Sequence, residues 1–282
     1  MDLLNHWNLR ERPFEATWDT RFYYSSTDHE EALHRLLYLA DEGSMNIGLL
    51  SGEIGCGKTL TRAVFAARLD PGRFQVVTVE NSGFSFGDIL EAILHRIETP
   101  DGERRSRTPS RTKFGRCQRF ENRVRQLGEE GRHLVVLLDE AQDIPAGALH
   151  ELRWLTNLNG NGRAFVTIIL IGQPELRSRV ASDRAINQRI SLRFHLRPLS
   201  VSDIGTYLRH RLAAAGHPTG ELFTTEAAAA IRGATKGVPR EVHRVAKLAL
   251  EHAWLRNATA VDHDSVRTVV ADLERHQSLP VL

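Results

Sequence analysis

The eight residues Gly52-Glu53-Ile54-Gly55-Cys56-Gly57-Lys58-Thr59 constrain everything around them. A short strand, Asn46–Leu50, is expected before them, and a helical pattern from about Thr59 to Leu69 follows, broken by Pro71-Gly72. Glycine, four residues, then Gly-Lys-Thr between a strand and a helix is the phosphate-loop pattern. Such a loop wraps a polyphosphate with successive backbone N–H groups, so side chains must be absent where the chain comes close. The helix behind it points the positive end of its dipole at the anion. Lys58 is the residue that reaches the terminal phosphates, and the Thr59 hydroxyl joins Mg²⁺ coordination. The binding stretch is therefore Gly52, Glu53, Ile54, Gly55, Cys56, Gly57, Lys58, Thr59 and Leu60.

A second stretch, Leu134-Val135-Val136-Leu137-Leu138-Asp139-Glu140, is the expected partner. Five apolar residues in a row read as a strand buried on both faces, and it ends in two acids at the carboxyl edge where open sheets bind ligands. Asp139 is placed to hold the metal's water shell, and Glu140 to polarise an attacking water. Phosphoryl transfer also needs positive charge at the terminal phosphate. Arg189 and Arg193, in Asn187–Arg193, and Arg240, in Gly237-Val238-Pro239-Arg240, are the two sources considered. Against each stands a plain surface arginine, a strong competitor in a chain whose 37 basic residues include only four lysines.

Around these motifs the pattern alternates. Thr27 and Glu30 have capping-box spacing and open a helix that Gly43 stops. Strands are expected at Phe74–Val79, Phe165–Ile171 and Ser191–Leu196, and helices at Asp88–Ile97, about 116–130, Pro145 to about Leu158, and after Pro174. Residues 98–113 are polar and basic and read as a loop or disordered insert. Beyond Pro198, where Ser200 and Asp203 again have capping-box spacing, only helical periodicity continues. Alternation with buried strands implies an α/β fold: a parallel sheet between helices, an αβα sandwich, followed by a small all-α domain. The expected division is a nucleotide-binding domain at 1–197, with an opening segment and first helix at 1–45, and a helical lid at 198–282.

With 282 residues, 41% apolar and 26% charged, the chain is of ordinary globular composition. No run approaches the roughly 18 apolar residues a membrane helix needs, and the opening MDLLNHWNLRERPF lacks the pattern of a signal peptide. Two cysteines exclude a disulfide framework and a four-cysteine zinc site. A cytoplasmic protein that does not span a membrane is the expectation. The net charge of +2 is unlike that of a general nucleic-acid binder. Residues 100–120, however, carry seven basic side chains against two acids, and either a solvated loop or a duplex-DNA contact fits that excess.

Other features compete for attention. Gly83-Phe84-Ser85-Phe86-Gly87 matches the nucleophile-elbow spacing, but three residues separate it from the preceding strand, against a serine hydrolase. Phe84 and Phe86 could instead grip a polymer or pack on the core. His29-Glu30 begins like a zinc-protease motif, but the next histidine, His34, is off the shared helix face. Cys56, at a helix N-terminus, is expected to have a lowered thiol pKa. The aromatics between Trp7 and Tyr24 either clamp a base or pack the opening segment.

The ordered set GEIGCGKT, VVLLDEAQ, IILIGQPEL, NQRISLRFHLRPLS and GVPREVHRVAKLAL resembles AAA+ ATPases of the ExeA/GspA type, with which the pilus-biogenesis MshM-like proteins are grouped. The likeness runs over about residues 5–255. It implies ATP with Mg²⁺ as the ligand and hydrolysis to ADP and phosphate at subunit interfaces of a ring or spiral. It also implies Arg189 as the finger supplied to a neighbour with Arg193 behind it, Gln173 at the sensor position, and Arg240 as the lid arginine at the γ-phosphate. A secretion or pilus membrane component is the implied partner. Secretion ATPases of this type often continue into a membrane helix and a cell-wall-binding domain. This sequence stops at the lid and also resembles stand-alone transposition regulators of the TnsC/TniB kind, which assemble on DNA.

Overall fold

The computed structural model describes residues 2–43, 46–80, 83–98, 112–160 and 163–277. In chain order the elements are α1 (Leu3–His6), α2 (Thr27–Glu42), β1 (Ile47–Gly52), α3 (Lys58–Arg68), β2 (Phe74–Val79), α4 (Phe86–Glu98), α5 (Lys113–Glu129) and β3 (His133–Leu138). There follow α6 (Ala146–Glu151), a short hairpin of β4 (Asn159–Gly160) and β5 (Arg163–Ala164), β6 (Val166–Gly172), α7 (Glu175–Ser182), α8 (Arg184–Asn187) and β7 (Ile190–Leu196). Four helices close the sequence: α9 (Asp203–Ala214), α10 (Thr225–Thr235), α11 (Pro239–Leu255) and α12 (His263–Gln277). The chain forms two compact units.

One unit comprises residues 30–52 and 61–196. Its sheet has the order β2-β3-β6-β1-β7, with every pairing parallel. The three central strands β1, β3 and β6 are buried almost throughout, which is why they are rich in apolar residues and do not alternate with charged ones. Ile89, Leu90, Ile93 and Leu94 of α4 and Phe120, Val124 and Leu127 of α5 pack on the same core as Val136, Ile168 and Leu170. The β4–β5 hairpin and α8 have no counterpart in the sequence reading, and two boundaries differ from it with a visible cause. The helix expected to run to Leu158 changes at Leu152 to a tighter 3₁₀ form over Leu152–Asn157. There the Thr156 hydroxyl donates to the Arg153 carbonyl at 2.7 Å, taking an acceptor an α-helix would use. Helix α5 starts at Lys113, ahead of the expected 116, because the Thr112 side chain caps it by accepting the Gly115 N–H.

The other unit comprises residues 1–29, 53–60 and 197–282. Trp7, Phe14 and Phe22 of the opening segment are buried among Ile204, Leu208, Val242, Ala246 and Leu250 of the C-terminal helices. Packing therefore accounts for these aromatics. The buried Arg211 fastens the segment: its Nε donates to the Pro13 carbonyl at 2.7 Å, Nη2 donates to the Glu15 carbonyl at 2.9 Å, and the guanidinium lies over the Phe22 ring. Ser200 and Asp203 form the reciprocal pair their spacing predicts, each backbone N–H donating to the other's side chain.

Candidate functional site

Residues 53–57 form a loop closed against Lys58, the first residue of α3. Gly55 has φ +85° and Gly57 φ +93°, a left-handed backbone that favours glycine. A Cβ at Gly55 would lie 2.5 Å from the Arg240 Cβ, and one at Gly57 would lie 2.9 Å from His29 Nε2. The Glu53 carbonyl accepts from Lys58 Nζ at 2.9 Å and from the Cys56 N–H at 3.2 Å. The Arg240 N–H donates to the Gly55 carbonyl at 3.2 Å, where Pro239 starts α11. Arg240 and the glycine loop are thus brought together within one unit.

Cys56 behaves differently from the sequence reading. The Cys56 side chain is fully buried, and burial raises its thiol pKa; the nearby Lys58 charge only partly offsets this. The expectation of a lowered thiol pKa is corrected: loss of hydration outweighs the pull of the Lys58 charge. His29 has both ring nitrogens engaged. It is buried beneath the loop, with Nε2 3.1 Å from the Cys56 carbonyl and Nδ1 2.7 Å from Ser26 Oγ. Burial lowers its pKa, against the opposing effects of the Cys56 contact and the charges of Asp28 and Asp203, so the ring is neutral at pH 7.

In the unit that holds the sheet, Asp139 and Glu140 follow β3 directly. Asp139 is buried, and both its oxygens are engaged. Oδ1 accepts the Glu140 N–H at 3.0 Å, and Oδ2 lies 2.9 Å from Arg62 Nη1. The side chain of Arg62 is only 7% exposed and reaches Glu80, at the end of β2, with Nη2. Glu140 is exposed and sits in the left-handed region at φ 48°, ψ 41°, a backbone that a non-glycine residue adopts at some cost. Gln142 Nε2 donates to Glu140 Oε2 at 2.8 Å, while Gln142 Oε1 accepts the Gln173 N–H at 3.1 Å. One amide therefore links the acid after β3 to the end of β6. Arg62 and Gln142 escaped the sequence reading, since nothing local to either marks its partner.

Arg189 donates from Nη1 to Thr156 Oγ1 at 2.7 Å, whereas Arg193, on the edge strand β7, is exposed and held by the Asn187 carbonyl and side chain. Ser85 caps α4, exchanging hydrogen bonds with Asp88. Phe86 is buried in the core and Phe84 packs against it. Of the basic stretch 100–120, Arg104, Arg105, Arg107 and Arg111 lie outside the described residues. Lys113 pairs with Glu151, Arg116 with Glu91, and Arg119 with Glu91 and Glu98.

Among the described residues no group of three or more His, Cys, Asp or Glu is arranged to hold a metal ion. The Thr59 hydroxyl in one unit and the buried Asp139 carboxylate in the other are each an oxygen donor of the kind Mg²⁺ takes. Among the described residues no helix is long and apolar enough to cross a membrane.

A parallel sheet ordered in this way, a glycine loop between β1 and α3, acids after β3 and a following set of helices define an AAA+ P-loop NTPase fold. Residues 41–180 match the family described as an AAA domain. The chain is 32% identical over 260 residues to general secretion pathway protein A of Aeromonas hydrophila, covering 92% of this chain and 46% of that protein. It thus spans about half the length of that relative. Among solved structures, the ORC2 protein of Aeropyrum pernix in ADPNP–ADP complexes superposes with a TM-score of 0.66 at 17% identity, over 96% of this chain and 75% of that one. The RuvB Holliday junction branch migration motor of Thermotoga maritima gives 0.58 at 16% identity, over 90% and 74%. The chain carries an AAA+ ATPase domain related to the secretion protein.

Proposed function

We propose that this chain binds ATP with Mg²⁺ and hydrolyses it at interfaces between copies of itself, driving assembly or remodelling in a secretion- or pilus-type machine. The observation that carries this is the closed glycine loop with Lys58 folded into it and Arg240 bonded to it. The 32% identity to a secretion protein supports the pathway. The Gly52–Leu60 stretch and Lys58 hold the polyphosphate, Thr59 and Asp139 serve the metal, and Glu140 takes the proton of the attacking water. The metal, when bound, neutralises charge developing on the phosphate oxygens. Gln142 fixes the direction of the Glu140 carboxylate, and Gln173 sits at the far end of that link. Arg240 senses the nucleotide from its own chain, and Arg189, with Arg193 as second choice, from a neighbour. In this reading residues 1–197 are the nucleotide domain, 198–282 the lid, and the protein works in the cytoplasm beside a membrane component.

The alternative, an ATP-dependent DNA-binding regulator of transposition, draws on the basic 100–120 stretch. Each of its described side chains, Lys113, Arg116 and Arg119, is already ion-paired, so the secretion reading is preferred. A gel shift that needs ATP and weakens steeply with salt would reverse that preference.

Complementation tests the shared interface. Arg189→Ala and Glu140→Gln are each expected to be inactive alone. Mixed in equal amounts, they restore roughly a quarter of the interfaces, because head-to-tail contacts pair one chain's acid with another's arginine. If Arg189→Ala alone retains full turnover, or the mixture stays as inactive as its parts, the finger assignment is wrong.

A further inference from the structure

The environment of His29 fixes its ring completely. A carbonyl can only accept, so the nitrogen facing Cys56, Nε2, carries the proton. Nδ1 is then the acceptor and takes the Ser26 hydroxyl, whose oxygen receives the His29 backbone N–H at 3.4 Å. The Tyr23 hydroxyl donates to the His29 carbonyl at 3.0 Å, and the Tyr23 ring meets the imidazole edge-on at 6.0 Å. With 6% of its surface exposed, the side chain has one orientation and one tautomer.

What the imidazole holds is a peptide plane. A trans peptide directs its C=O and N–H to opposite sides. Drawing the Cys56 carbonyl toward His29 therefore turns the Gly57 N–H away from it. Gly57 at φ +93° supplies the backbone conformation, and Nε2, 2.9 Å from where a Cβ would stand, leaves no room for another residue. The neighbouring plane is held from the other side of the sequence, by the Arg240 N–H on the Gly55 carbonyl. We propose that His29 is a positioning residue of the phosphate loop: its Nε2–H sets the Cys56–Gly57 peptide so that the Gly57 amide faces a bound polyphosphate. The proposal rests on the reading of Gly52–Thr59 as a nucleotide loop. His29 touches no reacting atom. It prepays the ordering that the loop would otherwise undergo on binding.

The test compares His29→Leu, which keeps bulk and loses the donor, with His29→Gln, whose terminal amide N–H reaches the place of Nε2. Hydrogen exchange of the peptide spanning 53–60 is measured without nucleotide, and Mg-ADP affinity by calorimetry. In His29→Leu the loop exchanges about tenfold faster and Mg-ADP binds about tenfold more weakly, the effect of one lost hydrogen bond on a preorganised loop. His29→Gln restores both to within about threefold of the wild type. Wild-type exchange and affinity in His29→Leu overturn the proposal. Should His29→Leu not fold, His29→Asn replaces it: its shorter amide keeps Ser26 and cannot reach Cys56, so equal behaviour of the Asn and Gln variants overturns the proposal. A wild-type protein that binds no Mg-ADP defeats the nucleotide reading, while the exchange comparison still tests the hold on the loop.

Discussion

Replacing Arg62 by methionine removes a cation from beneath the acid that ends β3. The guanidinium side chain is 7% exposed, and its two arms differ in worth. The arm to Glu80 ends on a carboxylate that is 65% exposed, so it contributes less than about 1 kcal/mol. The arm to Asp139 joins two buried groups at 2.9 Å, and deleting one partner of such a pair costs about 3–5 kcal/mol. Asp139 keeps the Glu140 N–H, which places the loss near the lower end, at about 3 kcal/mol. For a chain of this length that is a fall of roughly 6 °C in melting temperature without nucleotide. Adding Asp139→Asn discharges the orphaned carboxylate and returns about 2 kcal/mol, roughly 4 °C. Thermal unfolding of the wild type, Arg62→Met, Asp139→Asn and the double variant completes the cycle. A single variant melting within about 1 °C of the wild type, or a double variant no more stable than Arg62→Met, refutes the claim that Arg62 balances Asp139.

Three further outcomes follow from the geometry. Burial raises the thiol pKa of both cysteines, but a thiol reagent reaches the partly exposed Cys117 first, while the enclosed Cys56 reacts only when the loop opens; mass spectrometry of the labelled peptides checks the order, and equal rates contradict it. Burial pushes His133 down to about 4 and His243 down to about 3, so both stay neutral in the folded chain while the unfolded chain takes up protons below about pH 6.5. Stability therefore falls as pH drops from about 6.5 toward 4, and His243→Gln flattens that slope in urea titrations; an unchanged slope counts against the neutral buried ring. Glu140→Gln keeps nucleotide affinity within about threefold and loses roughly a hundredfold or more in turnover, measured as phosphate release.

The fold was legible where burial is uniform. Leu134–Leu138 reads as a central strand because both faces of β3 are covered, and the loop of 52–59 announces its partners through glycine spacing alone. Boundaries failed where a side chain overrode periodicity, as when Thr112 capped α5 early and the Thr156 hydroxyl took the Arg153 carbonyl. Asp139, Glu140 and Arg240 stood out in the sequence because each belongs to a local pattern. Arg62 and Gln142 did not, and His29 did only within a motif set aside, because their contacts are with residues distant in sequence: Asp139, Gln173 and Cys56. The thiol of Cys56 shows the same limit, since position on a helix is visible in a sequence and burial of the sulfur is not.

Calorimetric titration of Mg-ATP into the wild-type protein and into Lys58→Ala addresses the nucleotide loop directly. The wild type should bind about one nucleotide per chain in the micromolar range, and the variant at least about a hundredfold more weakly. No heat with the wild type, or equal affinity in the two proteins, would contradict the assignment of Gly52–Thr59 as a triphosphate cradle.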